Sequence, residues 1–223
     1  MENIIALVPM KEHSERVPEK NFRLFNGKPL FYWILRELMK VDVISGIFVD
    51  TDSKRLADLI SSDFSDAIEI IDRPPELCGD AVSMNAIIEH DMSIIDSEHF
   101  LQTHSTNPLL SSSSIENSID SYFSGLPVND SLFSVTKIQN RCYTNDGAGI
   151  NHNPEELIQT QYLKPVYIEN SNIYIFSKDS FAKNKRRIGE KPILFEMNQY
   201  ESVDIDEEED FKAAEALYKG LYK

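Results

Sequence analysis

Short apolar runs alternate with amphipathic stretches along the first half of the chain. "IIALV" (Ile4 to Val8) contains no polar residue and predicts a strand buried on both faces. From Pro29 the period changes: Leu30, Trp33, Ile34 and Leu38 recur at helical spacing, and proline suits a helix's first turn. "GIFVDTD" predicts a second strand, and Asp52 or Ser53 can cap the helix through "KRLADLIS" that follows. "AIEII" predicts a third strand, Asn85 to Ile95 a helix, and "HFLQTH" a fourth strand.

Strands separated by helices call for parallel crossovers, so the pattern predicts an α/β fold with a doubly wound, mostly parallel sheet. Ligands of such sheets sit beyond the carboxyl ends of the strands. The loop at 9–21, the "DTD" turn, the 72–83 loop and "QTHSTNP" all follow predicted strands and should crowd around one crevice. After Leu126 the pattern becomes strand-like in "DSLFSVTKI" and "PVYIENSNIYIFS", with irregular sequence between them. Residues 1–223 therefore form one expected domain, with a small β-rich lobe at about 126–172 whose Tyr162, Tyr167 and Ile168 offer a surface for dimerisation or acceptor binding. The chain closes on "SVDID", expected as a strand, and on an amphipathic helix from Glu207 to Lys223.

A formal charge of −15 over 223 residues changes this picture by exclusion. It repels polyanions at long range, which argues against nucleic acid or a membrane surface as partner. A small anion in a locally basic pocket stays compatible. Cys78 and Cys142 belong to no paired or metal-ligating spacing, no apolar run reaches transmembrane length, and the N-terminus has no signal-peptide pattern. These features predict a cytoplasmic protein.

Four stretches carry candidate chemistry. In "LVPMKEHSERVPEKN" the cations Lys11, Arg16 and Lys20 follow the first strand, the usual place for a phosphate chain, while Pro9 and Pro18 restrict the loop. A solvated charged loop is the bland alternative. In "SVDIDEEED" the two-residue spacing puts Asp204 and Asp206 on one face of an extended chain, with Val203 and Ile205 behind them. Two adjacent carboxylates repel unless a cation lies between, and Mg²⁺ shared with phosphate oxygens is the natural candidate. The later acids suit a helix N-terminus. "QTHSTNPLLSSSS" bunches polar groups around Gln102 and His104 before serines that can cap a helix. In "DRPPELCGDAVSMN" Arg73 is a positioned cation, and Asp80 or Ser83 can cap the next helix.

Taken in order, "PMKEHSERVPEKN", "GKPL", "DTD", "RPPELCGD", "QTHSTNPL", "NSNIY" and "DIDEEED" resemble the acylneuraminate cytidylyltransferase family, the CMP-sialic acid synthetases and their relatives. The resemblance runs from Ile4 to Glu215. It implies a CTP-dependent, Mg²⁺-requiring homodimer that transfers CMP to a small acidic acceptor with release of pyrophosphate, a step used in surface polysaccharide biosynthesis. By motif match it implies Lys11, Arg16, Lys20 and Asp206 as catalytic groups. Pro9, Ser14, Asn21, Arg73 and Ser83 would lie near the nucleotide, Gln102, His104, Asn170 and Tyr174 near the acceptor, and Asp204 and Asp206 on the metal.

The chain departs from the family pattern at several points. Lys11, His13 and Glu15 stand where the loop usually has arginine, glycine and lysine, with Arg16 directly after; if Glu15 orients Arg16 or Lys20 by ion pairing, Glu15→Lys should impair CTP binding. No arginine occurs between Arg141 and Arg186, where sialic acid enzymes grip the sugar carboxylate; Lys164 can substitute, or Arg186 and Arg187 can approach from elsewhere. A different keto-sugar acid, a phosphonate acceptor, or a non-catalytic nucleotide-binding descendant are the alternatives.

Overall fold

The computed structural model describes residues 3–221, so the last two residues of the expected final helix lie outside it. One seven-stranded sheet holds β1 (Ile4–Leu7), β4 (Ile44–Thr51), β5 (Glu69–Asp72), β6 (His99–Gln102), β7 (Ser131–Ile138), β8 (Val166–Ser177) and β9 (Pro192–Glu196). Their spatial order is β5-β4-β1-β6-β8-β7-β9. Only β8 runs antiparallel to its neighbours, β6 and β7. A two-stranded hairpin, β2 (Leu24–Phe25) with β3 (Lys28–Pro29), lies apart from it.

Alternation along β1 explains the layering. Ile4 and Ala6 face one side, with α1 (Leu30–Leu38), α2 (Lys54–Phe64) and α4 (Ser112–Gly125) packed there through Ile34, Leu56 and Ile115. Ile5 and Leu7 face the other, covered by α3 (Met84–Ile94) and α5 (Lys178–Asn184) through Ile88, Met92 and Phe181. A third cluster joins Phe25 and Trp33 to Phe211 and Ala214, which seats α6 (Glu208–Leu221) against α1. Serines end the loops that enter the helices: Ser53, Ser83, Ser111 and Ser177 each accept a backbone N–H of the first turn.

The chain builds leftward from β1 through β4 to β5, then returns to lay β6 on the other side of β1. That reversal opens a crevice at the carboxyl ends of β1 and β6, where such sheets hold ligands.

Two local expectations need correction. "SVDID" forms no strand; it runs along the loop after β6, with the Ile205 amide donating to the Thr106 carbonyl at 2.9 Å and Asn107 donating to the Val203 carbonyl at 3.3 Å. Neighbouring loop atoms satisfy its backbone instead of a sheet edge. Within 126–172, β7 and β8 belong to the main sheet, and 126–130 and 139–165 lie outside it.

Candidate active site

The loops after β1, β5 and β6 enclose a cleft of about 570 Å³ together with Ser171, Arg187, Asp204 and Asp206. The first loop begins as a continuation of β1, since the Met10 amide donates to the Asp50 carbonyl at 2.9 Å. Asp52 then accepts the Glu12 amide at 2.8 Å. Glu19 adopts a left-handed φ of 52°, and the single turn Lys20–Phe22 swings Lys20 and Asn21 inward.

Lys20 Nζ donates to the Ile205 carbonyl at 2.5 Å and stands 3.7 Å from Asp206. Burial lowers its pKa, and the charges of Asp206 and Asp204 oppose that shift. Arg16 reaches the same carboxylate, with Nη2 2.6 Å from Asp206 Oδ1. Lys11 pairs with Asp80 on the cleft wall. Pro9 and Ser14 line the same wall. Asn21 braces the loop: it donates to the Lys11 carbonyl at 2.9 Å and accepts from Ser105 at 2.6 Å. Glu15 engages neither Arg16 nor Lys20; it lies against Asp80.

The alternation expected of "DIDEE" survives without a strand. Ile205 is wholly buried, while Asp204 and Asp206 both turn into the cleft. Burial raises the pKa of Asp204, and a Thr106 hydrogen bond opposes the shift. Its Oδ1 is buried with no hydrogen-bond partner among the described residues. An orphaned carboxylate oxygen beside a second carboxylate fits a hard divalent cation, which would complete it.

Arg73 lies on the cleft floor but is committed to the scaffold. It pairs with Asp50, and its Nη2 donates to the carbonyls of Met10 and Asp50 at 3.3 and 3.2 Å. It thereby ties the ends of β4 and β5 to the start of the first loop.

His104 lines the cleft, and its Nε2 lies 3.1 Å from the Gln102 amide nitrogen. Desolvation, with Arg187 and Lys20 adding repulsion, lowers its pKa to about 3, so the ring is neutral. It offers hydrogen bonding, not charge.

Four expected contact residues do not line the cleft. Ser83 spends its hydroxyl capping α3. Gln102 is fully buried, and its amide donates to the Thr103 carbonyl at 2.8 Å. Asn170 pins a bulge between β7 and β8, accepting from Ser134 at 2.5 Å and donating to Thr136 at 3.1 Å. The bulge instead presents Ser171, held at a left-handed φ of 55°. Tyr174 is buried, its hydroxyl bonded to Glu169, and desolvation raises its pKa to about 12. Ser105, Thr106 and Ser171 also line the cleft; they lie within "QTHSTNPL" and "NSNIY", but as uncharged residues they were given no role of their own.

A basic wall facing two carboxylates at the switch point of an α/β sheet suits a nucleotide's phosphate chain carried with a divalent ion. The model of the cytidylyltransferase family matches residues 5–222. The chain belongs to the cytidylyltransferase family. Within it, the chain is 25% identical over 220 residues to the N-acylneuraminate cytidylyltransferase of Streptococcus agalactiae serotype V, covering 93% of this chain and 51% of that protein. It is 26% identical over 237 residues to the CMP-N,N'-diacetyllegionaminic acid synthase of Legionella pneumophila, covering 96% and 95%. The chain spans about half the length of the N-acylneuraminate enzymes it matches. In fold it is similar to a CMP:2-keto-3-deoxy-manno-octonic acid synthetase solved with CTP, at a TM-score of 0.71 and 11% identity over 98% of this chain and 99% of that one.

Proposed function

We propose that this cytidylyltransferase transfers CMP from CTP to a keto-sugar acid of the sialic, legionaminic or pseudaminic type. The observation that carries this reading is the meeting of Lys20, Arg16, Asp204 and Asp206 on one cleft, in a chain matched by the family from residue 5 to 222. The names of its relatives supply the acceptor class.

In the proposed reaction an acceptor hydroxyl oxygen bonds to the α-phosphorus, the bond from that phosphorus to the bridging oxygen breaks, and pyrophosphate leaves with the electron pair. The hydroxyl proton passes to solvent. Such transfers depend mostly on positioning and on neutralising charge. Lys20, held between the Ile205 carbonyl and Asp206, supplies a fixed cation. Lys11 and Arg16 supply mobile ones once phosphate displaces Asp80 and Asp206 from them. Asn21 and Arg73 keep the loop shaped for that exchange.

Asp204 and Asp206 are the residues that would hold Mg²⁺. The ion, when bound, polarises phosphate oxygens and neutralises charge that builds on them.

We further propose a homodimer formed through 139–168, supported by the exposure of Leu157 (91%), Tyr162 (72%) and Ile168 (50%). The setting proposed is the cytoplasm, supported by two free cysteines, with the product a donor for surface polysaccharide. Among the described residues no helix is long and apolar enough to cross a membrane.

Pyrophosphate release tests the reading, with each nucleoside triphosphate against a panel of keto-sugar acids, with and without Mg²⁺. Release with CTP and an acid, only when Mg²⁺ is present, is the expected result. Release with no pair would sink it.

A further inference from the structure

The cleft wall carries five strong cations, and four of them have a carboxylate within ion-pair distance. Lys11 has Asp80, Arg16 and Lys20 share Asp206, and Arg73 has Asp50. Arg187 has none among the described residues. Glu169 is the acid whose charge it feels, and that carboxylate accepts the Tyr174 hydroxyl.

Arg187 is nevertheless held in place. Its guanidinium lies 3.8 Å over the Tyr174 ring, and Nη1 donates to Gln102 Oε1 at 2.5 Å. The loop that bears it, between α5 and β9, is fastened to the start of β7. The amides of Glu190 and Lys191 donate to the Asp130 carboxylate at 2.8 and 3.0 Å, and Gly189 donates to Ser131 at 2.8 Å. A guanidinium cannot shed its proton, so partial desolvation without a counter-ion is a cost that an arriving anion removes.

Position separates this anion from the triphosphate. Lys11, Arg16, Lys20 and Arg73 come from loops after β1 and β5, whereas Arg187 stands with Gln102 and Tyr174 of β6 and β8. With Nη1 engaged, Nη2 and Nε are left for a planar two-oxygen group.

We propose that Arg187 anchors the carboxylate of the acceptor, supplying from the α5–β9 loop the arginine that is missing between Arg141 and Arg186. Tyr174 and Gln102, buried and out of substrate reach, act as its positioning residues. This role presupposes the cytidylyl transfer proposed above. Neutral His104 beside it adds hydrogen bonding to the acceptor without competing for its charge.

The test compares wild type with Arg187→Met and Arg187→Lys by calorimetric titration, without requiring turnover. The probes are N-acetylneuraminate and 3-deoxy-octulosonate, their methyl esters, and 2-aminoethylphosphonate, with CTP titrated separately as a check on the fold and the nucleotide end. Wild type should bind at least one acid about 100-fold more tightly than its ester, the scale of losing one partner of a shielded ion pair. Arg187→Met should bind acid and ester equally, Arg187→Lys should fall between, and CTP affinity should be unchanged in both.

Unchanged acid affinity in Arg187→Met overturns the assignment. So does binding of neither acid to wild type, or an Arg187 dependence confined to the phosphonate. Failure of pyrophosphate release alongside Arg187-dependent acid binding would count against the transferase reading and leave the anchor standing.

Discussion

Asp91 of α3 lies against Asp50 of β4, both almost wholly shielded from water, and Arg73 pairs with only one of them. One arginine cannot balance two carboxylates there. Burial first, and repulsion from Asp50 second, raise the Asp91 pKa to about 8, while Arg73 opposes the shift. The Asp91 carboxyl therefore keeps its proton at neutral pH, facing Asp50. His90 is the other titratable group at this cluster, 3.4 Å from Asp91.

The sign of the pH effect follows. An acid whose pKa is raised on folding adds stability that is complete below its unfolded value near 3.8 and erodes until pH passes about 8. Thermal melts of wild type should lose midpoint between pH 6 and pH 9. Asp91→Asn keeps a donor for Asp50 and removes the titration, so its melts should be flatter across that window. Parallel curves for the two proteins would show that Asp91 does not carry the proton.

Lys11 and Asp80 pair on the cleft wall, with both side chains about half exposed. Asp80→Asn releases Lys11 for phosphate. The expected outcome is a lower KM for CTP with stability nearly unchanged, since exposed pairs contribute little. A raised KM would mean that Asp80 shapes the loop rather than masking it.

An organising Glu15 would pair with Arg16 or Lys20, and it faces Asp80 instead. Reversing its charge should therefore favour an incoming triphosphate. Glu15→Lys is expected to lower the KM for CTP by a few-fold, more at low salt than at high salt. Impaired CTP binding would restore an organising role.

A side chain at Gly189 would place its Cβ 2.3 Å from Asp130 Oδ1, an oxygen already fixed by the Lys191 amide and the Ser131 hydroxyl. Gly189→Ala should destabilise the protein by about 1–3 kcal/mol, the usual range for overpacking. Because the same loop carries Arg187, the acceptor KM should rise while the CTP KM holds. Denaturant titration and steady-state kinetics check the two effects.

How much of this was legible in the sequence varies with the range of the interaction. Strand runs such as "IIALV" and the caps Ser53, Ser83 and Ser111 act through neighbours in the chain, and pattern alone offered them, whereas Ser177 and the short α5 it caps were not foreseen. Asp204 and Asp206 were placed together by alternation, which holds for any extended chain, so the absent strand did not matter. The insertion of β8 between β6 and β7 depends on pairing between distant residues, which has no local signature.

The same limit explains the acceptor side. Asn170, Tyr174 and Gln102 were expected at the acceptor by motif match, yet they are spent on a bulge and on holding Arg187. Arg187 itself arrives from a loop after α5 with no motif around it. Its neighbour Arg186 is exposed, and composition could not tell the two apart.

Asp206 touches both Arg16 and Lys20 and, with Asp204, would hold the divalent ion, so it sits at the centre of the proposed chemistry. The most direct measurement follows the α-phosphorus by phosphorus NMR while wild type and Asp206→Asn act on CTP, a keto-sugar acid and Mg²⁺. The account predicts that wild type converts this phosphorus into a phosphodiester of a CMP conjugate as free pyrophosphate appears. Asp206→Asn, folded by circular dichroism, should be slower by on the order of 100-fold, the loss typical of removing one charge-stabilising group. Pyrophosphate without the phosphodiester, or wild-type rates from Asp206→Asn, would contradict it.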